Sequence, residues 1–164
     1  MASTRNRQKR EEDLLAQAAG VARRGMKRGW GGPFGAVILK RGRVISTGCN
    51  QVLRRRDATC HAEITAIREA SKKLRTFDLG GCDIFSTTEP CPMCFSAIHW
   101  ARIKRVVYST TIADVKRLGF NELTVSNALM KRVGRSPVRI ERRASDACRA
   151  LLREWSALPK KRTY

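Results

Sequence analysis

No stretch of this 164-residue chain approaches the roughly 18 consecutive apolar residues that a membrane-spanning helix requires. A helical membrane protein is therefore excluded. The N-terminal MASTRNRQKREED has no apolar core, so it does not read as a secretory signal, and a cytoplasmic location is the expectation. Internal repeats, low-complexity blocks and domain linkers are also missing. The length then points to one domain that can bury a sizeable core. Acidic residues are scarce: 14 Asp and Glu face 34 Lys and Arg, giving a net charge of +20 and a pI near 11.0.

Such a surface attracts anions and raises a nucleic-acid partner as a possibility. The basic runs at 5–10, 54–56, 72–75, 102–105, 139–143 and 160–162 are scattered, however, and carry no interleaved aromatics. A solvated basic surface is the favoured reading and a polynucleotide partner is not.

Six cysteines are present: Cys49, Cys60, Cys82, Cys91, Cys94 and Cys148. With a full-sized core and no secretory signal, reduced thiols are expected rather than disulfides. Cys49, Cys60, Cys82 and Cys148 read as small buried residues.

Hydrophobic spacing predicts a helix over residues 11–27, where acids occupy the first turn. GWGGPFG breaks it. AVILK and VISTG form a hairpin around Arg41-Gly42, and a polar loop runs from Cys49 to Cys60. A second helix begins near His61, followed by the strand CDIFST. CPMCFSAIHWAR gives a third helix, KRVVYST a strand, NELTVSNALMKR a helix, VRIE a strand and ASDACRALLREWSAL a last helix. Residues 1–9 are expected to be disordered, and residues 159–164 form a tail. Alternating strands and helices indicate an α/β layer architecture.

EPCPMC, residues 89–94, places two cysteines three apart. Alone, it allows a redox dithiol, a structural zinc clip or a catalytic metal site. A structural zinc needs four protein ligands, but the chain offers no second CxxC and no histidine pair. It does offer CHAE, thirty residues upstream. His61, Cys91 and Cys94 make three ligands and leave a fourth tetrahedral position for water, the pattern of a catalytic zinc. Cysteines at i and i+3 share a helix face, and a helix N-terminus stabilises thiolates. Two thiolates and a neutral imidazole leave the metal formally neutral, so its water gains from a nearby base. Glu63 is the candidate.

H-x-E followed by P-C-x-x-C is the zinc-deaminase signature. With PFGAVI, HAEITAIREA, EPCPMCFSAIHWAR, GFNE and the terminal KKRTY, the chain resembles the cytidine deaminase-like superfamily. Its bacterial guanine deaminases are nearest, and tRNA-specific adenosine deaminases are close relatives. The resemblance implies a three-layer α/β/α fold with a central mixed five-stranded sheet, and a zinc-dependent deaminase domain over residues 10–158. It also implies a homodimer whose C-terminal segment is exchanged to close the partner's pocket. By that match Phe34, Asn50, Ala62, Trp100, Glu122 and Tyr164 contact a nucleobase, and Glu63 with Glu122 moves protons. Glu122 departs from the family's usual aspartate, and Ser96 from a small glycine.

Plainer readings stand beside these. Phe34 and Trp100 also suit a core, Asn50 a turn, and Glu122 a helix start. His99 reads as packing or surface. Glu89 reads as a helix-start charge or a support for the metal residues, and Cys60 as inert or close to the metal. The expected reaction is guanine to xanthine plus ammonia. A tRNA adenosine deaminase, another small-ring deaminase and a non-catalytic zinc-stabilised nucleic-acid binder are the alternatives. LGFNEL and the ending with Trp155 and Tyr164 argue against the tRNA enzyme.

Overall fold

The computed structural model describes residues 2–120 and 137–163, with side chains from residue 4 onward. Glu122, Tyr164 and the helix expected over 121–132 lie outside the described residues.

The first helix, α1, spans Ala2–Lys27. Leu14, Leu15, Ala18, Ala22 and Met26 recur at helical spacing, and all are buried. It begins nine residues earlier than expected, and the segment read as disordered is helical from Ala2. Residues 4–10 bury no apolar surface, so hydrophobic spacing gave no sign of this turn. What holds it is ionic: Arg7 bonds Glu11 one turn on at 3.1 Å and reaches Glu141 at 3.5 Å.

Strands β1 (Gly35–Lys40) and β2 (Arg43–Cys49) form the expected hairpin. Arg41 and Gly42 make its two-residue turn with φ of 47° and 77°, the left-handed pair that matches strand twist. A register shift between Ile38 and Leu39 marks a bulge in β2. A short helix, α2 (Val52–Arg55), interrupts the loop that follows. Next come α3 (Ala62–Leu74), β3 (Cys82–Thr88), α4 (Pro92–Trp100) and β4 (Arg105–Thr110). A helix that hydrophobic spacing did not predict, α5 (Ile112–Lys116), is set by a capping box between Thr111 and Asp114. β5 (Arg139–Arg142) and α6 (Asp146–Ser156) complete the described chain.

The sheet order is β2-β1-β3-β4-β5. β1 pairs antiparallel with β2 and β3, while β3-β4 and β4-β5 are parallel. This is the expected mixed five-stranded sheet. Helices α1 and α6 cover one face, joined by Arg23 to Glu154 at 2.7 Å. Helices α3 and α4 cover the other, giving three layers with the core on both sides of the sheet. Seven consecutive residues of β3 are buried or nearly so, as a central strand covered on both faces requires.

One glycine sets the depth of α3. A Cβ on Gly48 would run into the backbone of Ala62 and Ala66. Ala62, Ala66 and Ala70 are fully buried and present a small-residue stripe to the sheet. The start of α3 is thereby seated directly on β2. No described helix is long and apolar enough to cross a membrane.

Candidate active site

β2 and β3 run in the same direction, so their carboxyl ends lie together with the start of β1. In open α/β sheets this end is where sites form. From β2 the chain continues through Asn50 to His61, which is the N-cap of α3. From β3 it continues through Glu89 and Pro90 to Cys91, the N-cap of α4, and Pro92 occupies the first turn. Two helix N-termini thus converge, and their dipoles favour anionic thiolates there.

The His61 Nδ1 atom lies 3.6 Å from Cys91 Sγ and 3.6 Å from Cys94 Sγ. Among the described residues these three form the one cluster of His, Cys, Asp or Glu suited to a metal ion. A tetrahedral zinc with metal–sulfur bonds of about 2.3 Å and metal–nitrogen bonds of about 2.0–2.1 Å separates S from N by about 3.6 Å. The donor set fits zinc. Cys91 and Cys94 are buried, and His61 is partly exposed. A hydrogen bond from Cys94 brings the Cys91 thiol down to about 4, with His61 adding to the effect. The same interaction, with burial, pushes Cys94 up. Zinc binding requires both thiols as thiolates and would release the proton the pair shares.

Glu63 lies in the first turn of α3 and is buried. Its Oε2 is 3.5 Å from Cys94 Sγ, and its Oε1 accepts a hydrogen bond from Ser86 Oγ at 3.2 Å. At a helix start, positions i and i+2 can share one cleft, and His61 and Glu63 do so. Burial, then the negative Cys91, raises the Glu63 carboxyl above its ordinary value. An upward shift is the direction that suits a carboxylate that takes and returns protons. Ser86 was missed in the sequence, where it is one more residue of a strand. Its signal is the bond across 23 positions, which only the fold creates.

Asn50 is buried, its N–H donates to Phe34 C=O at 3.0 Å, and its Oδ1 accepts from Val52 N–H at 3.2 Å. The turn reading is thus realised. Phe34 packs edge-on against Phe120, with ring centroids 5.0 Å apart, and Phe120 meets Trp155 at 5.7 Å. Phe34 is buried in that aromatic core, at the end of the sheet that carries the site. Ala62 is fully buried beneath the start of α3.

Trp100 is not brought to the metal residues within this chain. It ends α4 and is 79% exposed. Nine positions separate it from Cys91, about 13 Å along a helix axis. It stands instead with His99 and with Phe77, itself 67% exposed, around a recess on the far end of α4.

Glu89 accepts from Ile112 N–H at 3.2 Å, so its carboxylate caps α5 rather than α4. The Cys60 thiol donates to Asp57 at 3.1 Å beside Arg68 and is not among the metal residues.

The family model for the cytidine and deoxycytidylate deaminase zinc-binding region matches residues 8–110. The chain is 46% identical over 111 residues to guanine deaminase of Bacillus subtilis, covering 68% of this chain and 71% of that protein. It is 39% identical over 88 residues to a tRNA-specific adenosine deaminase of Buchnera aphidicola, covering 54% of this chain and 58% of that one. The solved structure of guanine deaminase from Nitrosomonas europaea superposes with a TM-score of 0.80 at 31% identity, covering 90% of this chain and 85% of that chain.

Proposed function

This chain belongs to the cytidine and deoxycytidylate deaminase zinc-binding family, and we propose that within it the protein hydrolyses guanine to xanthine and ammonia. The observation that carries the catalytic half of this reading is the buried Glu63 carboxylate, 3.5 Å from Cys94. The similarity to the guanine deaminases supports the choice of base.

His61, Cys91 and Cys94 would hold the zinc. When bound, the ion supplies Lewis acidity toward water and the developing negative charge. Glu63 takes one proton from the attacking water as its oxygen bonds to C2 of the purine. It delivers that proton to the adjacent ring nitrogen. The second proton, from the new hydroxyl on C2, passes to the amino group, the C–N bond breaks, ammonia leaves and the C2 oxygen becomes the carbonyl of xanthine. Glu122 and Tyr164, outside the described residues, are proposed to assist that second transfer and to close the pocket. Asn50 and Phe34, on abutting loops at the same end of the sheet, are proposed to hold the purine.

A homodimer is part of the proposal. The exposed Trp100 and Phe77 give α4 an apolar end for a second copy to bury. In that assembly Trp100 reaches the partner's substrate pocket. A cytoplasmic location is likewise proposed.

A second reading, adenosine deamination in tRNA, is favoured by the Buchnera relative and by the +20 charge. Ammonia release from zinc-loaded protein given guanine, adenine, cytosine, nucleosides and a tRNA anticodon stem-loop separates the two. Inosine in the RNA with inert guanine would overturn the leading reading. Glu63→Gln should keep zinc and lose about 10²–10⁴ in turnover; near-wild-type turnover would remove Glu63 from its role.

A further inference from the structure

Three of the basic runs that look scattered along the sequence, 5–10, 102–105 and 139–143, meet at one end of the sheet. The β1–β2 turn, the starts of β4 and β5, and the N-terminal half of α1 share that end. Arg10 donates to the carbonyl of Gly42 in the turn. Arg105, opening β4, bonds Glu11 of α1 and, at 3.0 Å, Asp83 of β3. The metal trio lies beyond the opposite end of β3, a strand of seven residues and thus about 20 Å long.

A recess of about 540 Å³ opens there, lined by Arg7, Arg10, Lys104, Arg105 and Arg139 with the acids Glu11 and Asp83. The acids are already engaged. Glu11 and Glu141 hold Arg105 and Arg143, and Glu141 also holds Arg139. By contrast Lys9, Arg10, Arg41, Arg43 and Lys104 are exposed and make no ion pair among the described residues. Arg41 occupies a left-handed φ of 47°, which glycine adopts more readily. The cations sit on a helix, a tight turn and strand ends, so their spacing is fixed before any ligand arrives.

We propose that this end of the sheet binds the phosphodiester backbone of a nucleic-acid duplex. The unpaired cations match a polyanion in sign, and they extend beyond the recess along both α1 and the hairpin, further than one small anion reaches. The aromatic side chain at the recess, Phe85, is 1% exposed and offers no face for unstacked bases, which single-strand sites use. Contact is therefore to backbone alone and independent of sequence. With the metal residues a strand's length away, the bound duplex is a tether and not the substrate.

The test uses the zinc-loaded full chain, a labelled 16-base-pair DNA duplex and its RNA counterpart, with binding read by anisotropy across a KCl series. The triple variant Arg10→Glu, Arg41→Glu, Arg43→Glu is compared with Lys27→Glu, Lys116→Glu, Arg153→Glu, which changes net charge equally elsewhere. The first triple is expected to bind at least tenfold more weakly than the second on both duplexes. Its slope of log affinity against log salt should fall by about 2–3. Ammonia release from guanine should be unchanged in both triples, reporting an intact fold. Arg41→Gly, which relieves the turn, keeps the question open to refutation if the triple misfolds: its slope should fall by about 0.9. A difference between triples below threefold, an unchanged Arg41→Gly slope, or tighter binding to phosphatidylserine vesicles than to duplex would overturn the proposal.

Discussion

Ser86 Oγ donates to Glu63 Oε1 across 3.2 Å, linking the middle of the central strand to the buried carboxylate beside the metal residues. Ser86 projects from β3 toward α3, and Gly48 of β2 brings α3 close enough to be reached. The carboxylate is thereby aimed by the sheet rather than by its own helix alone.

Ser86→Ala should therefore weaken catalysis without removing the metal. A hydrogen bond to a charged group is worth about 1.5–3 kcal/mol, or about ten- to a hundredfold in kcat if all of it acts in the transition state. The bond favours the carboxylate, so its loss should raise the Glu63 carboxyl further. The acid limb of the kcat/KM–pH profile should then move to higher pH, with zinc content unchanged. An unmoved limb would make Ser86 a packing residue only.

Gly48→Ala tests the seating of α3. The added methyl meets the backbone of Ala62 and Ala66, which cannot rotate away. Stability should fall by about 2–3 kcal/mol in urea unfolding. Because His61 and Glu63 ride on that helix start, zinc affinity and turnover should fall together. Stability loss with unchanged zinc affinity would show that the helix start is held by the metal trio instead.

The chemistry of the site was legible because its parts are local: H-x-E and P-C-x-x-C each place donors at a helix start. What joins those parts was not. Ser86 is separated from Glu63 by 23 positions, and nothing in CDIFSTT distinguishes it from its neighbours. Trp100 stands away from the metal residues of its own chain, which similarity of a motif does not reveal. The hairpin followed from alternation and turn residues, and the mixed five-stranded sheet from the family resemblance. The first turns of α1 did not, since ion pairs with residues as distant as Glu141 leave no hydrophobic period. The basic runs at 5–10, 102–105 and 139–143 looked dispersed for a similar reason: only topology gathers them.

The Glu11 cluster predicts a pH dependence of stability. Burial alone would raise the Glu11 carboxyl, but hydrogen bonds from Arg105 and Arg143 outweigh it and hold it below the ordinary 4.5. Glu141 is also lowered, chiefly by Arg105. Depressed carboxyls contribute stability above their unfolded value and lose it as pH falls through the folded one. Glu11→Gln should cost about 3 kcal/mol at pH 7, because it leaves Arg105 and Arg143 short of a partner. In urea titrations that difference should narrow as the pH drops below 4.5. A constant difference across that range would mean the charge of Glu11 is not what stabilises the cluster.

The C-terminal tail offers the sharpest test of how the pocket closes. Thr163 returns to the segment after α5, where a Cβ on Gly119 would lie 3.7 Å from its methyl. Gly119 precedes Phe120, whose ring touches Phe34, so Thr163 lies beside the segment that leads into this chain's own aromatic core. Deleting residues 162–164 should raise KM for guanine about tenfold, the loss of roughly 1.4 kcal/mol of stacking on a base. Unchanged kinetics would place Tyr164 outside the pocket. Mixing then separates closure within one chain from exchange between two. The truncated protein has an intact Glu63, and full-length Glu63→Gln has an intact tail. If tails are exchanged, mixed dimers recover a low-KM site. If each tail serves its own chain, the mixture retains the high KM of the truncated protein at every ratio.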